Sequence, residues 1–548
     1  MSRSSTHKAR RQSSMFRRIG PPTPLGYAAI IFFALVALWL LSPVDDGVGL
    51  LPSSWTSGQG KGTGEDWANP VEPEGEVEDE MDDPPLSPLP KIYTSEFPDL
   101  KLPPSLVTSP HLYPLAHRLT SFLSRPVLSH KKATEANKAG CPTELADKLV
   151  NPDQYNGDSE FWMDEVTEGE IVRRRADVVR YLSGAVERGE EVLGREGKTG
   201  KGRGIVLTGG NQDTTLRTIT AIKHLRRLNV DLPIEVFHYS DELHDKNQRK
   251  EIEKLGATLR EAKGLEKVDG VWKNWQIKGV ALVESAFREI IYLDSDNTPL
   301  RSPSHLFTAP LYTSSGRAVF WPDLSKDHPD NAIWRIVGDT CSLEHFSFES
   351  GQIVIDKAGN GGMNMAALVV AAGMMRDREF WFRMCGGDKD TFRWAFRMLG
   401  LEFGVSPRWM GTVGMMNGFQ GGKFCGHSVL QHDLVIPDGF TKEPPLFVHS
   451  NLLKHLGGAG LKRGTLFTHI RRLSTDYVSS PALNHAHSFV YDANVRGMCL
   501  DLAWHPDTPQ ELKEEVWVET VGVEEEEGGV FGGFEEAWWE EGGRVGGW

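Results

Sequence analysis

From about residue 204 onward, short apolar runs that stop at glycines or acids alternate with longer stretches whose apolar positions recur at helical spacing. GIVLTGG, starting at Gly204, predicts a strand ending in Gly209 and Gly210, and Asp213 to Leu228 predicts the amphipathic helix that follows. IEVFHYSDE (Ile234 to Glu242) reads as a second strand, a helix around Asn247 to Leu255 leads to a third, and Trp275 to Phe287 reads as helix again. That helix feeds IIYLDSDNTP, from Ile290 to Pro299, a β-favouring apolar run that ends in carboxylates. Further strands are predicted at Ala318 to Trp321, at Phe346 to Ile355, near Phe403 and at Pro445 to His449, while FCGHSVLQHD resembles a strand edge. The Ala- and Met-rich stretch from Asn364 to Met375 predicts a packed core helix, and Asp388 stands at the start of a helix running to about Met398. This alternation predicts an α/β fold, an open, mixed, largely parallel sheet flanked by helices. Ligands of such sheets bind outside the carboxyl ends of the strands, the edge that would carry Gly209-Gly210 and Asp294-Ser295-Asp296.

The chain before residue 204 has a different texture. A basic tail over residues 1–24 (Arg3, Lys8, Arg10, Arg11, Arg17, Arg18) precedes Leu25 to Leu41, LGYAAIIFFALVALWLL, which carries no charge. About 17 residues is the short end of a bilayer span, and the charge order places the N-terminus in the cytosol and the bulk of the chain across the membrane. A cleaved signal peptide is the other reading; its apolar core is shorter and it ends in small residues, whereas this run ends in Trp39-Leu40-Leu41-Ser42-Pro43. An uncleaved signal anchor is therefore expected over residues 25–41. Residues 42–90 are Pro-rich and acidic, with too few apolar side chains for a core, and predict an extended tether. Residues 91–203 predict a partly helical stem packed on the catalytic unit, residues 204–504 the catalytic domain, and residues 505–548 a loosely attached acidic Gly/Trp-rich tail.

Composition narrows the function. A net charge of −15 over 548 residues argues against a nucleic-acid partner, which would need clustered Lys and Arg. Cys141, Cys341, Cys385, Cys425 and Cys499 all follow the apolar run, in what would be an oxidising lumen; an odd number cannot pair completely, and the connectivity is open.

The chemistry concentrates at Asp294 and Asp296. Two carboxylates at one strand end repel each other and are costly to bury, and a hard divalent cation that also bridges to phosphate removes both penalties. A polar turn closed before Pro299 accounts for the same residues.

The ordered set GIVLTGG, Asp241-Glu242, REIIYLDSDNTPLRSP, FWPD (Phe320 to Asp323), ESGQIVIDK (Glu349 to Lys357), GDKDTFRWAF (Gly387 to Phe396) and FVHSNLLK (Phe447 to Lys454) resembles the GT-A fold glycosyltransferases. Over roughly Gly204 to Lys454 it closely resembles the fungal Golgi α-mannosyltransferases of glycosyltransferase family 71. The resemblance implies a single-pass type II protein of the Golgi membrane with a lumenal catalytic domain. Its implied reaction moves mannose from GDP-mannose to a mannose-terminated glycan or glycoprotein, through an α linkage with retention and with Mn²⁺ as cofactor. It further implies Asp294, Asp296 and His449 as metal ligands, and Gly209, Gly210, Lys278, Ser295 and Lys454 as donor-binding residues. Asp388, Glu349 and Gln352 are the implied catalytic residues, and a complex with other Golgi glycosyltransferases is an implied association. Linkage position, α-1,2 or α-1,3, stays open.

Two other classes compete. DSDNT matches the DxDxT opening of a phosphatase family, but about three strands precede it and Gly387-Asp388-Lys389-Asp390-Thr391-Phe392 has Phe where that family's later acid belongs. A non-catalytic glycan-binding or scaffold protein of transferase descent is the third reading; Asp294, Asp296 and His449 stand against it.

Overall fold

The computed structural model describes residues 101–271, 273–416, 423–457, 462–492 and 497–546. The expected basic tail, membrane anchor and tether, and the first ten residues of the expected stem, lie outside the described residues. Among the described residues no helix is long and apolar enough to cross a membrane.

The expected sheet is present. Strands β1 (Arg203–Thr208), β2 (Ile234–His238), β3 (Ala257–Glu261) and β4 (Glu289–Asp294) pair in parallel. β5 (Asn297–Pro299) leaves this sheet, as described below. β6 (Ala318–Pro322), β7 (Phe348–Asp356) and β8 (Gly404–Val405) complete seven strands in the order β3-β2-β1-β4-β7-β6-β8, with β7 antiparallel to both of its neighbours. The helices α1 (Tyr113–Leu123), α2 (Glu168–Glu187), α3 (Gln212–Arg227), α4 (Lys246–Lys254), α5 (Ile277–Glu284), α6 (Met363–Arg376), α7 (Arg378–Cys385) and α8 (Lys389–Met398) cover the chain around it. α6 is buried over almost its whole length, as its apolar composition requires, and packs between α5, α8 and α2. α5 is shorter than expected, ending at Glu284 before the Ser285-to-Phe287 turn.

The stem is continuous with this core. Leu115, Leu119 and Phe122 of α1 and Ile171, Val178 and Leu182 of α2 share one buried apolar cluster with α5, α6 and α8. A Cys141–Cys341 disulfide fastens the same region, a second joins Cys425 to Cys499, and Cys385 is a buried free thiol.

A second sheet was not legible in the sequence. β9 (Gly411–Met415), β10 (Cys425–His432), β11 (Pro445–His449), β12 (His469–Leu473), β13 (Ala486–Asp492), β14 (Met498–Trp504) and β15 (Val518–Gly522) form it with β5. FCGHSVLQHD is therefore no edge: β10 is buried throughout and pairs with β9, β11 and β14. The expected loose tail is likewise ordered. β15 pairs with β12, and α9 (Phe534–Glu540) buries Phe534 and Trp538 against Phe467. Its aromatic residues supply the apolar area that its acidic composition obscured.

Candidate metal and diphosphate site

The site lies where the two sheets meet. β4 ends at Asp294 in the first sheet, the chain turns through Ser295 and Asp296, and β5 enters the second sheet by pairing with β11. That pairing sets His449 opposite Asn297, and the Ser450 amide donates to the Asp296 carbonyl at 2.9 Å. A histidine distant in sequence is thus held beside the aspartates by backbone register, independently of its own side chain.

Asp294, Asp296 and His449 each offer a ligand atom, and these atoms lie within 4.8 Å of one another. His449 Nε2 is 3.2 Å from Asp296 Oδ1 and 3.9 Å from Asp294 Oδ2. On the other side of the ring, Nδ1 donates to Glu349 Oε1 at 3.0 Å, and that oxygen also accepts the Gly351 amide at 2.8 Å. The Glu349 bond fixes the Nδ1 proton and aims Nε2 at the aspartates, the usual arrangement behind a metal-binding histidine. Burial alone would push the imidazole pKa down, but Glu349 and Asp296 hold His449 well above its ordinary range. Burial likewise works to raise Asp296, yet Lys454, whose Nζ donates to Oδ2 at 2.7 Å, and His449 hold it well below the usual carboxylate range. For Asp294 burial wins, against Lys278 and His449, and its pKa rises. The donor set of two carboxylates and one imidazole fits a divalent first-row cation. Glu349 Oε2, Gln352 Nε2 and Asn297 Oδ1 are buried with no protein hydrogen-bond partner, which marks the adjoining space as polar.

Several expected residues have partners within the protein that the sequence did not indicate. Lys278 is buried and its ammonium is consumed internally, by Ser350 O (3.1 Å), Ser350 Oγ (2.9 Å), Asp388 Oδ2 (2.8 Å) and Asp294 (3.3 Å). It pins Asp294 to Asp388. Asp388 precedes α8 but makes no side-chain cap bond, so its carboxylate faces Lys278 and the site. Glu349 orients His449. Gln352 Oε1 accepts from Asn297 Nδ2 at 2.6 Å, and the same amide reaches Gly351 O at 2.7 Å, so Gln352 shapes the turn after Asp296. At Gly209 an added Cβ would meet Thr218 Oγ1 at 2.7 Å, and at Gly210 Glu242 Oε2 at 2.2 Å. Packing within the protein is what demands glycine at both positions. Ser295 lines a small cavity with Asp296 and Ser450. Trp321 is core, donating to His432 O at 2.7 Å, and Asp323 pairs with Lys389.

Other contributors went unread. The Tyr292 hydroxyl bonds Asp294 Oδ1 at 2.6 Å and Thr208 Oγ1 at 2.7 Å; the period of two along β4 puts Tyr292 on the face of Asp294 and could have found it. Lys273 is pushed down to about 8 by burial and by the charge of Lys454, which adds a second cation on the Asp296 side.

Residues 202–345 and 340–433 match the family described as "Mannosyltransferase putative". The α-1,2-mannosyltransferase MNN22 of Candida albicans is 26% identical over 285 residues, covering 42% of this chain and 46% of that protein. The α-1,2-mannosyltransferase MNN2 of Saccharomyces cerevisiae is 26% identical over 289 residues, covering 43% and 46%. The chain thus spans about half the length of the curated relatives it matches. Among solved structures, the galactosyltransferase LgtC with donor and acceptor sugar analogues matches at 13% identity and a TM-score of 0.24, over 37% of this chain and 72% of that one, too partial a superposition to argue from.

Proposed function

We propose that this chain, which matches a mannosyltransferase family over residues 202–433 and is similar to fungal α-1,2-mannosyltransferases, is a metal-dependent GT-A glycosyltransferase. It transfers mannose from GDP-mannose to a mannose-terminated glycan or glycoprotein through an α-1,2 linkage, with retention. The observation that carries the reading is the convergence of Asp294, Asp296 and His449, with Glu349 behind the histidine and Lys454 beside Asp296. The linkage follows that of the α-1,2-mannosyltransferases to which the chain is similar.

Asp294, Asp296 and His449 would hold the divalent ion, Mn²⁺ suiting a mixed oxygen and imidazole set, and when bound it supplies Lewis-acid stabilisation of the departing diphosphate. Lys454 offers that leaving group a cation within reach of Asp296. Lys278 holds the Asp388 carboxylate in place, so that it can accept a sugar hydroxyl and orient it. Gln352 and Asn297 hold the backbone that presents Asp296. The apolar run at residues 25–41 after a basic tail supports a single-pass type II protein of the Golgi membrane, its catalytic part lumenal, where other glycosyltransferases are candidate partners.

The full chain in detergent, incubated with GDP-mannose, Mn²⁺ and a mannobiose acceptor, should yield an extended product whose linkage NMR identifies as α-1,2. Phosphate release from a monoester without transfer would establish the phosphatase instead. Glycan binding with neither activity would establish the scaffold.

A further inference from the structure

The segment after β15 reaches the site from an unexpected direction. Glu535 of α9 accepts the amides of Thr465, Leu466 and Phe467 at 3.0–3.2 Å. Just beyond the helix, Glu541 receives His224 Nδ1 at 2.7 Å and Arg227 Nε at 2.6 Å, both from α3. The second nitrogen of that buried imidazole meets Pro299 O at 3.0 Å, so His224 joins the segment to β5, the strand that continues from Asp296. The chain is anchored again at Gly546, whose carbonyl accepts from Arg217 Nη2 at 2.9 Å and whose amide donates to Leu453 O at 3.1 Å, next to Lys454.

Between these anchors the chain runs past Asp296. Gly542, Gly543 and Arg544 line one small cavity with Ser295, Asp296 and Ser450. Both glycines are required there. Gly542 has φ +104°, and a Cβ on Gly543 would meet the Trp538 ring at 2.2 Å. Arg544, exposed at the cavity rim, adds to the cations already gathered on the Asp296 side, Lys454, Lys273 and Arg217. Arg217 pairs with Asp213 and Lys454 with Asp296, and a guanidinium placed among these groups beside the candidate metal ligands suits a phosphate, two of whose oxygens it can grip at once.

We propose that the Gly542-Gly543-Arg544 bridge is the outer wall of the donor's diphosphate subsite and that Arg544 contacts the diphosphate of a nucleoside diphosphate sugar. The inference rests on the proposed transferase reading. It assigns a substrate-binding role to a segment outside the residues matched by the family.

The test is calorimetric binding of GDP and of GMP, with Mn²⁺ present, to the full chain in detergent and to its Arg544→Ala and Arg544→Lys variants. Arg544→Ala should weaken GDP binding about ten-fold, as loss of a partly exposed charge-assisted bond predicts, with GMP affected less and Arg544→Lys intermediate. KM for the donor should rise while KM for the acceptor and the melting temperature stay put. GDP affinity within two-fold of wild type in Arg544→Ala would overturn the inference while leaving the transferase reading intact. A wild-type protein that prefers UDP, with the same loss in Arg544→Ala, would keep the diphosphate contact and sink the mannosyl donor. Binding of no nucleoside diphosphate would sink both.

Discussion

His449 faces a carboxylate with each ring nitrogen, and the two contacts do different work. Glu349 holds the Nδ1 proton in place, and Nε2 is the atom left to a cation. Glu349→Gln should therefore weaken Mn²⁺ binding about 10–100-fold with little change in fold, measurable by titration followed by EPR; unchanged affinity would leave Glu349 no positioning role. The pH behaviour follows from the raised His449 pKa. Its protonated form adds stability that is fully present below the unfolded value of about 6.5 and is lost as pH rises through the higher folded value. A metal ion must expel the Nε2 proton, so Mn²⁺ affinity should climb with pH, and calorimetry in buffers of different ionisation heat should record proton release on binding. Binding without proton release would remove His449 from the ligand set. Asp296 has the opposite sign: its depressed pKa adds stability above its unfolded value, lost only as pH falls through the low folded one. Asp296→Asn should abolish transfer while far-UV circular dichroism stays native, and transfer retained at saturating Mn²⁺ would refute the metal assignment.

Among the elements, β5, β11 and α5 decide whether the site assembles. α5 is buried all round from Ile277 to Leu282 and directs Lys278 between Asp294 and Asp388, two carboxylates that would otherwise repel each other. Lys278→Met leaves them uncompensated and should cost about 3–5 kcal/mol in urea unfolding, a loss expected when one partner of a buried ion pair is removed. A variant as stable as wild type would show that Lys278 is dispensable to the fold. Much of this layer was legible. β1, β4, α3, α4, α6 and α8 fall close to their expected bounds, and all but the polar α4 are runs of apolar periodicity between glycines, acids or caps. β5 was not, since Asn297-Thr298-Pro299 has no apolar pattern and is a strand only because β11 pairs with it.

For the molecule as a whole, the stem belongs to the core of the α/β unit. Its helices share the apolar cluster of α6 and α8, and the Cys141–Cys341 bridge closes a loop of sequence separation 200. Replacing both cysteines with serine should lower stability by about 2–5 kcal/mol, seen as a lower melting temperature under non-reducing conditions, with Cys425–Cys499 intact by mass spectrometry. An unchanged melting temperature would show that packing alone holds the stem.

The sequence alone pointed to the strand that carries Asp294, to the alternation that makes an open α/β sheet and, through an ordered set of motifs, to Asp294, Asp296 and His449 as residues of one candidate site. Local periodicity encodes such elements, since each needs only its own residues. Tertiary structure decided how those residues divide the labour. Whether Lys278 reaches outward or pins two acids, whether Asp388 caps its helix, and whether residues 534–546 hang free or wall the site all depend on which groups meet across the fold. Hydrogen bonds and ion pairs between distant segments leave no periodic trace in the chain. The loose tail of the sequence became the wall beside Asp296 because His224, Arg217 and Phe467 were waiting for it on three separate elements.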